Sequence, residues 1–314
     1  MTTSIRYFIS PGKNPHENLA IEEELLKHVL PEECILYLWQ NDRTVVIGRN
    51  QNAFRECRNE VLSGDGGFLA RRPSGGGAVY HDMGNLNFSF IAGKNVYDPE
   101  RQTGVILNAV NSLGIPAEKD GRNDLLSGGR KFSGNAYYNE KNGCCHHGTV
   151  MVNVDIEMMK RYLRPSAEKL KSKAVSSVSG RVLNLAEIRP SLTVPELENA
   201  LLTAFAEEYG NGKPEQIFTE DLDIESLLKE RKRMGSVDWV YGKITGFTAS
   251  CHFTGAYGEI SAEFMVDRGK ISEAKVYTDS LDVDLPGKME KELTGKEYDS
   301  PEMMQVLKKY GKTD

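Results

Sequence analysis

Three consecutive glycines, Gly75 to Gly77, lie between an arginine pair, Arg71-Arg72, and a β-like segment, Ala78-Val79-Tyr80-His81. Glycine weakens the interior of a strand, so this run is no ordinary piece of sheet. It suits a backbone that bends sharply or lies against a ligand, because no Cβ blocks the approach. Arginine can grip a carboxylate or a phosphate with forked hydrogen bonds. Close approach and fixed positive charge at one place suit a nucleotide or an acyl phosphate. Standing alone, the same run would read as a flexible turn.

The rest of the chain supplies regular elements on both sides of this bend. Asn18 to Val29 reads as a helix, with Ile21, Leu25 and Val29 on one stripe. Cys34 to Trp39 and Thr44 to Ile47 read as strands, with a turn at Asn41-Asp42. Phe68 to Arg71 and Gly77 to Tyr80 flank the glycines, and Leu86 to Ile91 alternates as a strand. A helix is expected from Asp98-Pro99 to about Leu113, then strands at Lys131 to Tyr138 and Gly148 to Val154. Thr193 and Glu196 form a capping-box pattern that opens a helix through Glu208. Another helix is expected over Ile224 to Lys232. From Asp238 the character shifts to alternating runs, Val240 to Phe253, Glu259 to Val266 and Ile271 to Tyr277, with a hairpin turn at Asp267 to Lys270. Short helices near Gly287 to Leu293 and Pro301 to Tyr310 close the chain.

A chain of 314 residues suggests one large and one small domain. The boundary is expected near 235–245, giving domains 1–240 and 241–314. A net charge of −6 argues against general nucleic-acid binding. No apolar run approaches the ~20 residues that span a bilayer, and Met1 to Arg6 lacks the features of a signal peptide. Five cysteines, at 34, 57, 144, 145 and 251, form no CxxC pair. Reduced thiols fit a cytoplasmic protein.

The block Arg71 to Asp82, followed by Asn85 and Asn87 to Ser89, resembles the lipoate–protein ligase A signature RRxSGGGAVxHDxGNxxF. The resemblance continues through Gly121 to Asp124, Lys131 to Tyr137, His146 to Asn153, Ser176 to Leu185 and Tyr277 to Leu281. It implies an α+β layered fold of the biotin/lipoate-ligase type, with a mixed β-sheet, flanking helices and a small α+β C-terminal domain. It implies an ATP-dependent ligase that makes lipoyl-AMP and passes the lipoyl group to a lysine. The implied acceptors are the lipoyl domains of 2-oxo-acid dehydrogenase E2 subunits and the glycine-cleavage H protein. ATP and lipoate are the implied substrates and Mg²⁺ the implied ion.

The resemblance also assigns residues. Lys131 is the expected catalytic group, a compact charge beside the acyl carboxylate and the α-phosphate. Arg71, Ser74, Gly75, Gly76, Gly77, Ala78, Val79 and Asn85 are expected around the acyl and nucleotide sites, with the glycine N–H groups turned to the ligand. Ser133, Gly134, Ala136, His147, Gly148 and Thr149 complete the expected pocket. Arg72 fits a structural ion pair as well as a ligand contact. His81 either fixes a loop or touches the ligand. Asn123-Asp124 reads as a turn or as a polar site, with Asp124 offered to Mg²⁺. Lys173, Ser176, Ser177, Ser179 and Arg181 lie in a segment expected to fold over the adenylate. Adjacent histidines on a strand face opposite ways, so His146 and His147 are not expected to share one metal ion.

Two rival readings remain open. Octanoyl- and lipoyl-transferases share this fold and carry the acyl group on a cysteine, one class in a Pro-Cys-Gly context after the HG segment. The comparable stretch here, Leu163-Arg164-Pro165-Ser166-Ala167, has none. The other rival is a non-catalytic lipoate-binding protein, against which an intact Lys131 and glycine loop weigh.

Overall fold

The computed structural model describes residues 4–121, 123–164, 182–210, 212–242, 249–255, 257–298 and 300–311. Its centre is an eight-stranded mixed sheet in the order β11-β1-β2-β6-β10-β9-β8-β7. These strands are β1 (Ser4–Ile9), β2 (Glu33–Trp39), β6 (Asn85–Gly93), β7 (Glu118–Asp120), β8 (Asp124–Ser127), β9 (Arg130–Asn139), β10 (Gly143–Met151) and β11 (Glu215–Gln216). β1 runs parallel to β2 and β11, and the other pairings are antiparallel.

The central strands are buried on both faces, which is why Glu33–Trp39 is apolar almost throughout rather than alternating. On one face Cys34, Leu36 and Leu38 meet Phe88, Phe90 and the helices Pro99–Ser112 and Val194–Tyr209. On the other face Ile35, Tyr37 and Trp39 meet the helix Pro15–His28. Asn14, Asp98 and Thr193 cap these three helices through their side chains. The first helix begins earlier than its apolar stripe does, because Asn14 and Pro15 set its start.

A three-stranded sheet sits over that second face, in the order β4 (Phe68–Arg71), β3 (Thr44–Ile47), β5 (Val79–His81). The glycine run links β4 to β5 and therefore crosses above the large sheet. Beyond β5 the Asp82 carboxylate accepts from the Gly84 N–H at 2.8 Å and the Asp155 N–H at 2.8 Å, which fixes the turn into β6.

A small C-terminal domain is built on β12 (Ala249–Gly255), β13 (Gly258–Asp267) and β14 (Lys270–Thr278), an antiparallel sheet covered by the helices Leu285–Leu293 and Pro301–Gly311. Ile260, Phe264, Val276 and Met289 form its separate core. The expected alternation from Val240 is interrupted, since Val237–Val240 is a helical turn and residues 243–248 lie outside the described residues. Several elements had no expectation attached, among them β1, β7, β8, β11 and the helices Ala53–Glu56, Asn59–Gly64 and Ile156–Tyr162. No helix among the described residues is long and apolar enough to cross a membrane.

Candidate functional site

Register, not sequence proximity, assembles the floor of the pocket. Trp39 pairs with Asn87, Asn87 with Thr149, Thr149 with Gly134, and Gly134 with Asp124. Five neighbouring strands thus contribute one residue each to a straight row across the sheet, and all five line one cavity of about 260 Å³. With strands roughly 4.8 Å apart, the row spans about 19 Å. Ala136 and His147 form part of the next row on the same face. The opposite wall comes from Val46, Gly76, Gly77, Ala78, Val79 and His81. The wall is completed by Asp279 and Leu281 of the C-terminal domain.

Lys131 and Asp124 stand at one end of the row. The Lys131 Nζ lies 2.7 Å from Asp124 Oδ1, both side chains being a little over one-third exposed. β9 carries a register shift opposite Leu125 and Leu126, where Lys131 pairs with Leu126. Such a bulge re-aims a side chain. Gly134 keeps the space over its own backbone open, since a Cβ there would meet Lys131 Nζ at 2.8 Å. On its other side the Lys131 carbonyl accepts from the Leu183 N–H at 2.8 Å, so the backbone beneath the ammonium is pinned.

Under the glycine loop runs a chain of buried hydrogen bonds. Glu22, fully buried on the first helix, meets His147 Nδ1 at 2.9 Å, and His147 Nε2 lies 2.6 Å from Ser74 Oγ. Ser74 Oγ accepts from Arg72 Nε at 3.0 Å, and Arg72 Nη2 donates to the carbonyls of Gly75 at 2.7 Å and Gly77 at 2.8 Å. Ser89 and Tyr138 also donate to the Glu22 carboxylate. Burial alone would push the Glu22 pKa up. The His147 charge and the hydrogen bonds from His147, Ser89 and Tyr138 outweigh burial and hold it below the usual carboxylate range. Burial pushes the Arg72 pKa down to about 10, with the Glu22 charge opposing, so Arg72 stays charged at neutral pH.

Several expected pocket residues play other parts. Arg71 does not line the cavity: its guanidinium is engaged by the carbonyls of Gly48, Arg49, Gln51, Trp239 and Val240 at 2.6 to 3.0 Å. The arginine with its charge at the pocket is Arg72. Ser74 is buried behind the loop and Ser133 faces the other side of the sheet from Gly134, as alternation requires. Asn85 is likewise buried off the cavity, donating to Asn87 Oδ1 at 3.0 Å, and Asn87 lines the cavity in its stead. The glycine N–H groups are not all turned to a ligand. Gly76 N–H donates to the Ser280 carbonyl at 3.1 Å, and a Cβ on Gly75 would lie 2.3 Å from that same oxygen.

Gly76, Gly77, Ala78, Val79, His81, Asn123, Asp124, Lys131, Gly134, Ala136, His147, Gly148 and Thr149 do converge on the cavity. Sequence reading passed over Leu19, Trp39 and Val46, which read as ordinary core residues and reach the cavity only through tertiary packing. Lys173, Ser176, Ser177, Ser179 and Arg181 lie outside the described residues. His146 and His147 do face opposite ways: His146 bonds Gln102 and Asn135, at 3.1 and 2.8 Å. Among the described residues Glu22, Cys145 and His147 bring ligating atoms within 4.8 Å of one another. Both His147 nitrogens are already engaged there, so the cluster has the geometry of a hydrogen-bond network.

A layered α+β fold carries one pocket that runs from Trp39 to a lysine–aspartate pair, beside an arginine-held glycine loop. The chain belongs to the lipoyl protein ligase A/B catalytic domain family, whose sequence profile matches residues 14–206. Residues 246–313 match the profile of the bacterial lipoate protein ligase C-terminus. Among solved structures, P. falciparum LipL1 in complex with lipoate is 29% identical, with a TM-score of 0.82 over 98% of this chain and 95% of that one. A bipartite lipoate protein ligase of Thermoplasma acidophilum, from a structural analysis of that ligase and its E2 lipoyl domain, is 27% identical, TM-score 0.67, covering 79% of this chain and 100% of that one. A lipoate-protein ligase A bound with ATP is 26% identical, TM-score 0.65, over 78% and 100% of the two chains.

Proposed function

We propose that the protein is an ATP-dependent lipoate–protein ligase. In the first step a lipoate carboxylate oxygen attacks the α-phosphorus of ATP, the bond to pyrophosphate breaks, and lipoyl-AMP forms. In the second the ε-amine of an acceptor lysine attacks the activated carbonyl and loses a proton. The bond to AMP breaks and an amide remains. The observation that carries this reading is the single pocket row ending at Lys131 and Asp124. The row offers an apolar end for an acyl chain and a fixed ammonium for the carboxylate and phosphate. Lys131 would stabilise charge on the reacting oxygens, the glycine loop would border the acyl group, and Thr149 and Gly148 would lie along it. Neighbours described with lipoate and with ATP support both substrates.

Asp124 fits a role with Mg²⁺, because that ion usually takes one or two carboxylates plus substrate phosphate oxygens. It would supply neutralisation of phosphate charge. The acceptors we propose are lipoyl domains of 2-oxo-acid dehydrogenase E2 subunits, supported by the archaeal neighbour, and the glycine-cleavage H protein. We take residues 1–240 as the catalytic domain and 241–314 as the accessory one, and assign the work to the cytoplasm, where five unpaired cysteines are at home. A thioester route draws no support, since burial pushes every one of the five thiol pKa values up, Cys57 to about 11 and Cys34 to about 12.

The test is lipoate-dependent exchange of labelled pyrophosphate into ATP, without acceptor. Exchange should be seen with the native chain and fall at least ~100-fold in a folded Lys131→Ala variant. Native protein that is folded and shows no exchange would remove the ligase reading.

A further inference from the structure

One buried ring nitrogen in the pocket has no partner among the described residues. His81 is 3% exposed, and its Nε2 is buried without a hydrogen bond among the described residues. Its tautomer follows from a chain of partners that begins at a backbone carbonyl. The Gln40 carbonyl can only accept, so the Asn18 atom 2.8 Å from it is the amide nitrogen. That nitrogen also donates to Asn41 Oδ1 at 2.9 Å. Asn18 Oδ1 accepts from Ser10 Oγ at 2.6 Å and from the Tyr37 hydroxyl at 3.2 Å, which agrees. Asn41 therefore presents its Nδ2 to His81 Nδ1, 3.1 Å away. Nδ1 accepts, and the ring proton sits on Nε2. Burial first, then the Arg72 and His147 charges, holds the His81 pKa down at about 3. The ring is a neutral N–H donor throughout the physiological range.

Its place in the pocket matters as much as its chemistry. The His81 ring meets Trp39 edge-on, with centroids 6.1 Å apart. Trp39 is the first residue of the floor row, and Asp124, paired with Lys131, is the last. The donor thus sits at the end remote from the lysine. An acid activated at Lys131 would bring the far end of its chain to His81. A plain hydrocarbon end would keep the N–H buried and unpaired, whereas a ring disulfide carries sulfur lone pairs that accept.

We propose that His81 is a specificity-determining residue, donating from Nε2 to a heteroatom at the remote end of the acyl chain, so that the pocket favours lipoate over a plain eight-carbon fatty acid. This rests on the ligase reading above. A hydrogen bond to sulfur is weak. The discrimination comes mainly from what octanoate fails to do, since a site with a buried polar group penalises the analogue that leaves it unpaired.

The experiment compares lipoate and octanoate in pyrophosphate exchange, for native protein, His81→Phe and His81→Gln. In His81→Phe the lipoate-to-octanoate ratio of kcat/KM should fall about tenfold, mainly through a lower KM for octanoate. His81→Gln, whose amide N–H reaches toward the place of Nε2, should recover part of the ratio. An unchanged ratio in folded His81→Phe overturns the proposal, as does an equal loss for both acids. Should that variant not fold, calorimetric titration of native protein with each acid decides: equal affinities overturn the proposal. Absence of exchange with either acid in native protein would sink the ligase reading, and the same titrations would still judge His81.

Discussion

Glu22 shows how far a single residue on a helix face can reach. Through His147, Ser74 and Arg72 it is connected to the carbonyls of the glycine loop. Its lowered pKa fixes the sign of its pH dependence. A carboxylate depressed in the folded state adds stability that is present above its unfolded pKa, near 4.5, and is lost as pH falls through the folded value. In urea titrations the native chain should therefore lose stability below about pH 4.5 more steeply than Glu22→Gln. At pH 7 the variant should be less stable by about 3 kcal/mol, because its partner is left buried without its charge. Identical acid slopes would show that Glu22 is not the titrating group. None of this was legible in the sequence, where Glu22 is one of three consecutive glutamates on an early helix. The place of Lys131 at the pocket was legible, because its neighbours Ser133, Gly134 and Asn135 form a compact local motif.

At the scale of elements, alternation and capping residues located most strands and helices, since both depend on neighbours within a few positions. β10 was expected to begin at Gly148 and begins at Gly143. Its first half, Gly-Cys-Cys-His-His, is weakly β-prone by composition and is held as strand by pairing with β6 and β9 on both sides. The glycine loop is the element whose conformation depends most on residue type. Gly76 has a φ of +92°, a region that side chains disfavour, and a Cβ there would lie 2.9 Å from Arg72 Nη2. Gly76→Val should displace Arg72 from the Gly75 and Gly77 carbonyls and lower lipoate affinity at least ~10-fold by calorimetry. Unchanged affinity would mean that the loop is not part of the binding wall.

The whole molecule closes its pocket with two domains. Gly76 N–H bonds the Ser280 carbonyl at 3.1 Å, Thr278 N–H the Asn50 carbonyl at 2.9 Å, and Asn50 Nδ2 the Val283 carbonyl at 2.9 Å. Arg55 adds bonds to Ser261 at 2.5 Å and Glu263 at 3.2 Å. Gly75→Ala would set a Cβ 2.3 Å from Ser280 O and 2.8 Å from Leu281 Cα, both backbone atoms that cannot swing aside. That variant should enlarge the radius of gyration in small-angle scattering and weaken pyrophosphate exchange. A scattering profile identical to the native one would show that the contact relaxes locally.

The sequence by itself determined the layered α+β class, the family resemblance, the place of Lys131 in a compact motif and the position of the glycine bend. Each of these is written in local spacing or in a contiguous motif. Tertiary structure alone decided that Arg72 rather than Arg71 faces the pocket, that Trp39 and Asp124 stand at opposite ends of one row, and that the buried His81 Nε2 has no partner among the described residues. The physical reason is strand register. It joins residues up to 110 positions apart into one row, from Trp39 to Thr149, and no local pattern along the chain encodes which strand lies beside which.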